Sequence, residues 1–181
     1  MDNKKERIKK IKLIKYKINR YGITPIYGVL LHEGNQWIVT KDNVVDYVLD
    51  GIRFINRKYI SYKKKIEVDD DEMKVKIIPL KYKDALKDKE LVAKLDLNSY
   101  HGFFSMLKPM GYMTEIGLDK EDSMYVGTIA KINEKSVTFD TIGTLTEDTG
   151  MMNIPFDRIR YIGIETDYLK SLSLYIKHQG K

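Results

Sequence analysis

A hairpin that is written twice constrains this chain more than any other feature. Ile26-Tyr27-Gly28-Val29-Leu30-Leu31, the polar turn His32-Glu33-Gly34-Asn35 and Gln36-Trp37-Ile38-Val39-Thr40 read as two strands and the turn between them. About 99 residues later the same grammar returns in Met124-Tyr125-Val126-Gly127-Thr128-Ile129-Ala130, Lys131-Ile132-Asn133-Glu134 and Lys135-Ser136-Val137-Thr138-Phe139. Both copies carry a glycine just inside the first strand, Gly28 and Gly127, where a Cβ would resist sharp bending or a close backbone approach. With 181 residues and 43% hydrophobic content, the repeat favours two small cores over one large one.

Around each hairpin the chain continues in short strands. Lys10–Ile18 predicts a first strand with a bulge at Leu13-Ile14, after a basic lead-in over residues 1–8, and Asn19–Pro25 predicts a turn. Asp42-Asn43 breaks the pattern; Val44–Leu49, Ile52–Ile55 and Tyr59–Tyr62 follow as strands, with Asn56-Arg57-Lys58 as a turn. The second copy offers Tyr112–Leu118 as its first strand and Asp119–Asp122 as a turn. A polar loop over Thr141–Gly150 follows, then strands Met151–Phe156 and Ile159–Ile164. Phe54–Tyr59 aligns with Ile154–Ile159 after one added residue. Five short strands at this spacing are the signature of a small barrel.

Between the copies the texture changes. Asp69-Asp70-Asp71-Glu72 lacks the alternating oxygen ligands and the glycine of a calcium loop and reads as a solvated acidic connection, followed by an extended piece, Lys74–Leu80. Asp84–Leu95 is helical, and a second helix is expected over Ser99–Leu107, capped at Asn98, with Phe103, Phe104 and Leu107 inward. A C-terminal helix over Asp167–Lys177, capped at Thr166 or Asp167, places Leu169, Leu172 and Ile176 on one face. The fold class is therefore mainly β with α (α+β): a basic first barrel over 1–68, an acidic loop and helical linker over 69–110, and a second barrel with a short C-terminal helix over 111–181.

These residues resemble an Sm-like (LSm) barrel, a member of the SH3-like barrel group, over most of residues 10–65 and 112–165. The tandem arrangement also resembles a group of bacterial proteins with no assigned function. The resemblance implies a partner-binding or ring-forming module. Sm-like proteins that bind RNA carry an Asp-x-aromatic-or-Met-Asn loop and a later Arg-Gly; here Asp42-Asn43 matches the first in part, and Asn56-Arg57-Lys58 and Asp157-Arg158 stand where the second would be.

Charge is distributed unevenly. Residues 1–68 hold 16 Lys and Arg against 7 Asp and Glu, while residues 69–181 hold 16 against 19. A basic first third suits an anionic partner. The candidate nucleic-acid surface comprises Lys12, Lys15, Lys17, Arg20, Arg57 and Lys58 for phosphates and Tyr16, Tyr21 and Tyr47 for stacking. Only 6 of the 32 cations are Arg, the residue best suited to bidentate phosphate contacts.

Catalytic and metal signatures are missing. The chain has no Cys; His32, His101 and His178 fall in unrelated segments, and no phosphate loop or nucleophile motif occurs. Trp37, the sole tryptophan, is expected in the core or as cover for the hairpin rather than as a stacking platform. No catalytic residue, metal or cofactor is assigned. The chain reads as a non-enzymatic binding or assembly module acting through a protein partner or through itself as a homo-oligomer, with single-stranded RNA or DNA binding by the first barrel as the alternative. The first twenty residues hold no apolar run of signal-peptide length and the chain no membrane-spanning stretch, so no membrane partner and a cytoplasmic location are expected.

Overall fold

The structure is a computed structural model of the chain and describes residues 11–19, 21–46, 48–66, 80, 83–118, 124–143 and 147–179, without the side chains of 21–23. The basic lead-in, the acidic Asp69–Glu72 connection, most of the extended piece after it, the Asp119–Asp122 turn, Arg20 and Tyr47 lie outside the described residues.

The molecule is mainly antiparallel β with short helices. Its strands are β1 (Leu13–Ile18), β2 (Tyr21–Glu33), β3 (Trp37–Val45), β4 (Val48–Asn56), β5 (Ile60–Lys65), β6 (Thr114–Gly117), β7 (Met124–Ile132), β8 (Ser136–Ile142), β9 (Asp148–Pro155) and β10 (Tyr161–Ile164). The helices whose full extent is described are α1 (Lys89–Val92), α2 (Tyr100–Leu107) and α3 (Asp167–His178). All ten strands join one sheet in the order β5-β1-β2-β3-β4-β10-β6-β7-β8-β9. The order is one five-strand pattern used twice, with β10 standing to β6–β9 as β5 stands to β1–β4.

The repeat holds residue by residue. Leu30 faces Thr40 and Ile129 faces Phe139; Ile38 faces Ile55 and Val137 faces Ile154. Both β2 and β7 shift register at the same place, after Leu30 and after Ile129. Ile154 therefore occupies the place of Ile55, and the expected added residue before it does not exist. The offset lies in the first strand of each half instead: Lys17 faces Tyr62, and Gly117 faces Tyr161.

Both hairpin glycines stand at close approaches. A Cβ on Gly28 would lie 2.7 Å from Thr40 Cβ, and one on Gly127 would lie 1.9 Å from the Asp140 carbonyl oxygen. No other residue fits either place without moving a neighbouring strand.

Several boundaries differ from the sequence expectation. β2 begins at Tyr21 and runs through Pro25, where a turn was expected; the β1 irregularity falls near its C-terminal end rather than at Leu13-Ile14. Asp42-Asn43 lies inside β3 instead of breaking it, because its polar groups are satisfied there: Asn43 Nδ2 donates to the Asp46 and Val48 carbonyls, and Asp42 is paired with Arg53. The turn comes at Asp46, which adopts a left-handed φ of 37°. The helix expected over Asp84–Leu95 is reduced to α1 with turns before it, and Lys41 on β3 holds Asp88 at 2.8 Å. Ser99, not Asn98, caps α2, its hydroxyl accepting from Gly102 N.

The helices supply the main core. Phe103, Phe104 and Leu107 of α2 pack between Trp37, Val39 and Phe54 on one side and Ile116, Phe139 and Phe156 on the other, so one cluster spans both halves. Trp37 is fully buried, 4.9 Å from the Phe103 ring and edge-on to Tyr100. A smaller cluster, Ile14, Tyr16, Ile18, Ile38, Ile55 and Tyr161, fills the inner face of the first half. The C-terminal helix buries Leu169 and Leu172 beside Val126, with Ile176 packed against them, and takes its cap from Thr166.

Candidate functional site

Three places in this sheet carry unusual chemistry: a buried charge network where the halves meet, a lysine and tyrosine face on β1 and β5, and the two outermost strands. Strand alternation builds the first. Thr40 faces Arg53, Arg53 faces Gly163, and Gly163 faces Glu115, so the four lie in one row across β3, β4, β10 and β6 on one face of the sheet.

Arg53 binds Asp42 at 2.7 Å and approaches Glu115 at 4.0 Å, with its guanidinium 4.7 Å above the Tyr161 ring. Asp42 Oδ1 also accepts from the Tyr16 hydroxyl at 3.3 Å and the Thr40 hydroxyl at 3.2 Å. Burial pushes the Asp42 carboxyl up while Arg53 draws it back; burial also raises Glu115 and, together with Asp42, the Tyr16 phenol. Asp42 holds the Arg53 proton in place against burial. Gly163 makes the approach available, since a Cβ there would sit 2.4 Å from Glu115 Oε1.

The basic face lies on the other side of the first half. Lys15 faces Lys64 and Lys17 faces Tyr62, so these four side chains share a face, with Tyr27 opposite Lys15 on β2. Lys15 Nζ stands 5.0 Å over the Tyr27 ring. Tyr62 and Lys63–Lys65 are exposed. Lys63 Nζ reaches Glu33 at 2.7 Å, and Arg57 adds a second contact to the same carboxylate at 3.4 Å. Burial opposes ionisation of Glu33, but the two cations outweigh it and hold the carboxyl low.

The expected nucleic-acid residues divide among these places. Lys15 and Lys17 are brought together on the basic face; Lys12 is exposed just before β1, beside His32 and Glu33. Tyr16 is excluded from any stacking surface, because its ring is fully buried and its hydroxyl is engaged by Asp42. Arg57 and Lys58 are exposed on the 3-10 turn after β4, where Arg57 donates to the Gly34 carbonyl and Lys58 lies 5.4 Å over Tyr59. The Tyr21 side chain, Arg20 and Tyr47 are outside the described residues. Arg53, Glu115 and Gly163 were missed, since their meeting depends on β4 pairing with β10, more than a hundred residues away in sequence.

Asn56, also missed, ties that same junction. Its Nδ2 donates to Tyr100 Oη at 2.8 Å and to the Ile159 carbonyl at 2.7 Å, and its Oδ1 accepts from Gln36 Nε2 at 2.8 Å. Nearby, a pocket of about 580 Å³ opens over Tyr100 and Phe156, rimmed by His101, Glu134, Lys135 and Asp157. The polar groups of its described lining are the Tyr100 hydroxyl and the side chains of His101, Glu134, Lys135 and Asp157.

Among the described residues no group of three or more His, Asp or Glu could hold a metal ion, and no helix is long and apolar enough to cross a membrane. Comparison with protein-family models, with curated proteins and with solved structures finds no match.

Among the described strands the two outermost, β5 and β9, differ sharply. β5 carries Lys63, Lys64 and Lys65; β9 carries Met151, 66% exposed, and Met152, which packs in part on the main core. The first carries three consecutive lysines, the second a single charge, Asp148, at its start.

Proposed function

We propose that this chain is a non-enzymatic binding and assembly module of two small Sm-like, SH3-like barrels, which joins copies of itself head to tail by pairing β9 of one copy with β5 of the next. The observation that carries this reading is the internal junction. β4 pairs antiparallel with β10, and these are the strands whose counterparts in the repeat are β9 and β5. A junction made once within the chain is a template for the same junction between chains.

The internal register transfers directly. Ile55 faces Tyr161 and Phe54 faces Ile162 inside the chain, so Ile154 would face Tyr62 of the next copy, Asn153 would face Lys63, Met152 would face Lys64 and Met151 would face Lys65. Asp140 lies directly opposite Met151 on β8, which sets a carboxylate beside the incoming lysine edge.

Sedimentation velocity over a wide range of protein concentration tests the proposal. The parent chain is expected to shift to heavier species as concentration rises. Met151→Lys places like charges across the contact and weakens association by about threefold, and adding Lys65→Met restores it. A parent that stays monomeric throughout would overturn the reading.

A second reading is favoured by the interleaving of Lys15, Lys17 and Lys64 with Tyr27 and Tyr62 on one face: a site for single-stranded RNA or DNA. Anisotropy titration with a labelled oligonucleotide should show binding that weakens with salt and is lost in Lys17→Glu/Lys64→Glu. Absence of binding at low salt removes it.

A further inference from the structure

We infer that the small cleft between the start of β1, the end of β2 and α1 is a binding site for a phosphate monoester group, held by Lys12, His32 and Lys89. The site does not depend on the assembly reading. Of the two sources such a group could have, a small phosphate ester and the end of a nucleic-acid strand, only the second rests on the nucleic-acid reading.

Three segments distant in sequence build the cleft. The Leu30 amide donates to the Lys12 carbonyl at 2.7 Å, which lays the chain before β1 along β2. β2 shifts register between Leu30 and His32, and beyond the shift His32 and Glu33 reach the cleft, where Lys89 arrives from α1. Together with Leu30 and Leu31 these side chains line a volume of about 180 Å³. Pockets that enclose a whole small molecule span roughly 300–1,000 Å³, so this one takes a head group and leaves the rest of its molecule outside.

The charge of the cleft is unbalanced. Its one carboxylate, Glu33, is already engaged by cations from outside the lining: Lys63 Nζ donates to Oε1 at 2.7 Å and Arg57 Nη1 approaches Oε2 at 3.4 Å. Lys12 and Lys89 make no ion pair among the described residues, His32 makes no side-chain hydrogen bond there, and all three are exposed. Two ammonium groups and an imidazole therefore border one small volume without a counter-charge of their own. A cleft lined by one sign of charge focuses the potential and concentrates the opposite ion. The fold does not require the cluster: by count, Tyr112 stands at the place of Lys12 in the second half, Lys131 at that of His32 and Ile132 at that of Glu33.

A phosphate monoester matches this set. Slightly above neutral pH it carries close to two negative charges, which balance the two lysines, and its three terminal oxygens can accept from one donor each on Lys12, His32 and Lys89. A carboxylate has a single charge and leaves one lysine unmatched. An internal phosphodiester also carries one charge, so the cleft favours a terminal phosphate over the backbone of a strand.

Proton NMR of the histidine rings, slightly above neutral pH and at constant ionic strength, tests the inference with inorganic phosphate as the probe. The His32 signals are expected to shift and saturate, while those of His101 in α2 and His178 in α3 stay still. In Lys12→Gln/Lys89→Gln, two substitutions at exposed places, the half-saturation concentration should rise about tenfold; in Glu33→Gln, which removes the one carboxylate, it should fall about threefold. Lys17→Glu/Lys64→Glu, which tests the nucleic-acid reading, should leave it unchanged. A His32 shift that is absent, shared equally by all three rings, unaltered in the Lys12→Gln/Lys89→Gln chain or matched by acetate would overturn the inference.

A single strand with a 5′-phosphate, set against the same strand with a 5′-hydroxyl, separates the sources. If a strand end supplies the group, the phosphorylated strand competes with inorganic phosphate about tenfold better, and the advantage is lost in Lys12→Gln/Lys89→Gln. If the two strands behave alike while inorganic phosphate still shifts His32, the site stands, its group comes from a small phosphate ester, and the nucleic-acid reading gains nothing from it.

Discussion

The two halves share one register and fill it with opposite chemistry. Where the second half places Ile116, Phe139, Thr141 and Met152, the first has Tyr16, Thr40, Asp42 and Arg53, a hydrogen-bonded and ion-paired set in an otherwise apolar sheet. The last strands invert this: Lys63, Lys64 and Lys65 on β5 correspond to Ile162, Gly163 and Ile164 on β10. Polar residues thus sit in the first half where it meets the second, and lysines line the strand at its other end. Backbone pairing alone cannot tell equivalent edges apart, and side-chain charge can.

The largest expected effect comes from breaking the polar half of this comparison. Arg53→Met strands Asp42 and Glu115 without their cation and should cost about 3 kcal/mol in urea unfolding, followed through the buried Trp37, whereas Met152→Ala at the matching place should cost about 1 kcal/mol. Equal losses would mean that the network contributes no more than apolar packing. Next in size is Gly163→Ala, whose Cβ collides with the Glu115 carboxylate and should cost about 2 kcal/mol; Lys64→Ala, its exposed counterpart, should be neutral within about 0.5 kcal/mol.

The smallest effect is a pH dependence that belongs to the junction. Burial, reinforced by Asp42 and opposed by Arg53, raises the folded-state pKa of Glu115 above its unfolded value. The folded state then holds its proton more tightly, so the stabilisation is complete below the unfolded pKa and is lost as pH rises through the raised one. Stability should fall over that interval, and Glu115→Gln should flatten the fall. Asp42 is raised in the same sense by burial, so a slope that persists in part in Glu115→Gln identifies its share.

Much of this architecture was legible beforehand because it is periodic. The Gly28 and Gly127 hairpins, the strand after each 3-10 turn, the inward face of α2 and the core place of Trp37 follow from alternation, helical spacing and turn residues, which are local. Boundaries failed where tertiary contacts override local preference. Asp42-Asn43 reads as a break until Arg53 is placed opposite, and Asp84–Leu95 has helical spacing but is held largely as turns beside Lys41. The candidate surface was legible only as composition. Lys15 and Lys17 share one face, but Tyr16 was assigned outward because a bulge near the end of β1 and a buried acceptor from β3 cannot be read from its neighbours. Glu115 carried no local signal at all.

The measurement that tests the assembly account most directly is a cross-link between two otherwise unaltered chains, one with Asn153→Cys and one with Lys63→Cys, mapped by peptide mass. The account predicts a dimer joined through residues 153 and 63 whose yield grows with concentration and falls by about threefold at sub-saturating concentration when Met151→Lys is added. Cross-linking absent at every concentration, or equal when the second cysteine is moved to Lys131 on β7, remote from β5 in the strand order, would contradict it.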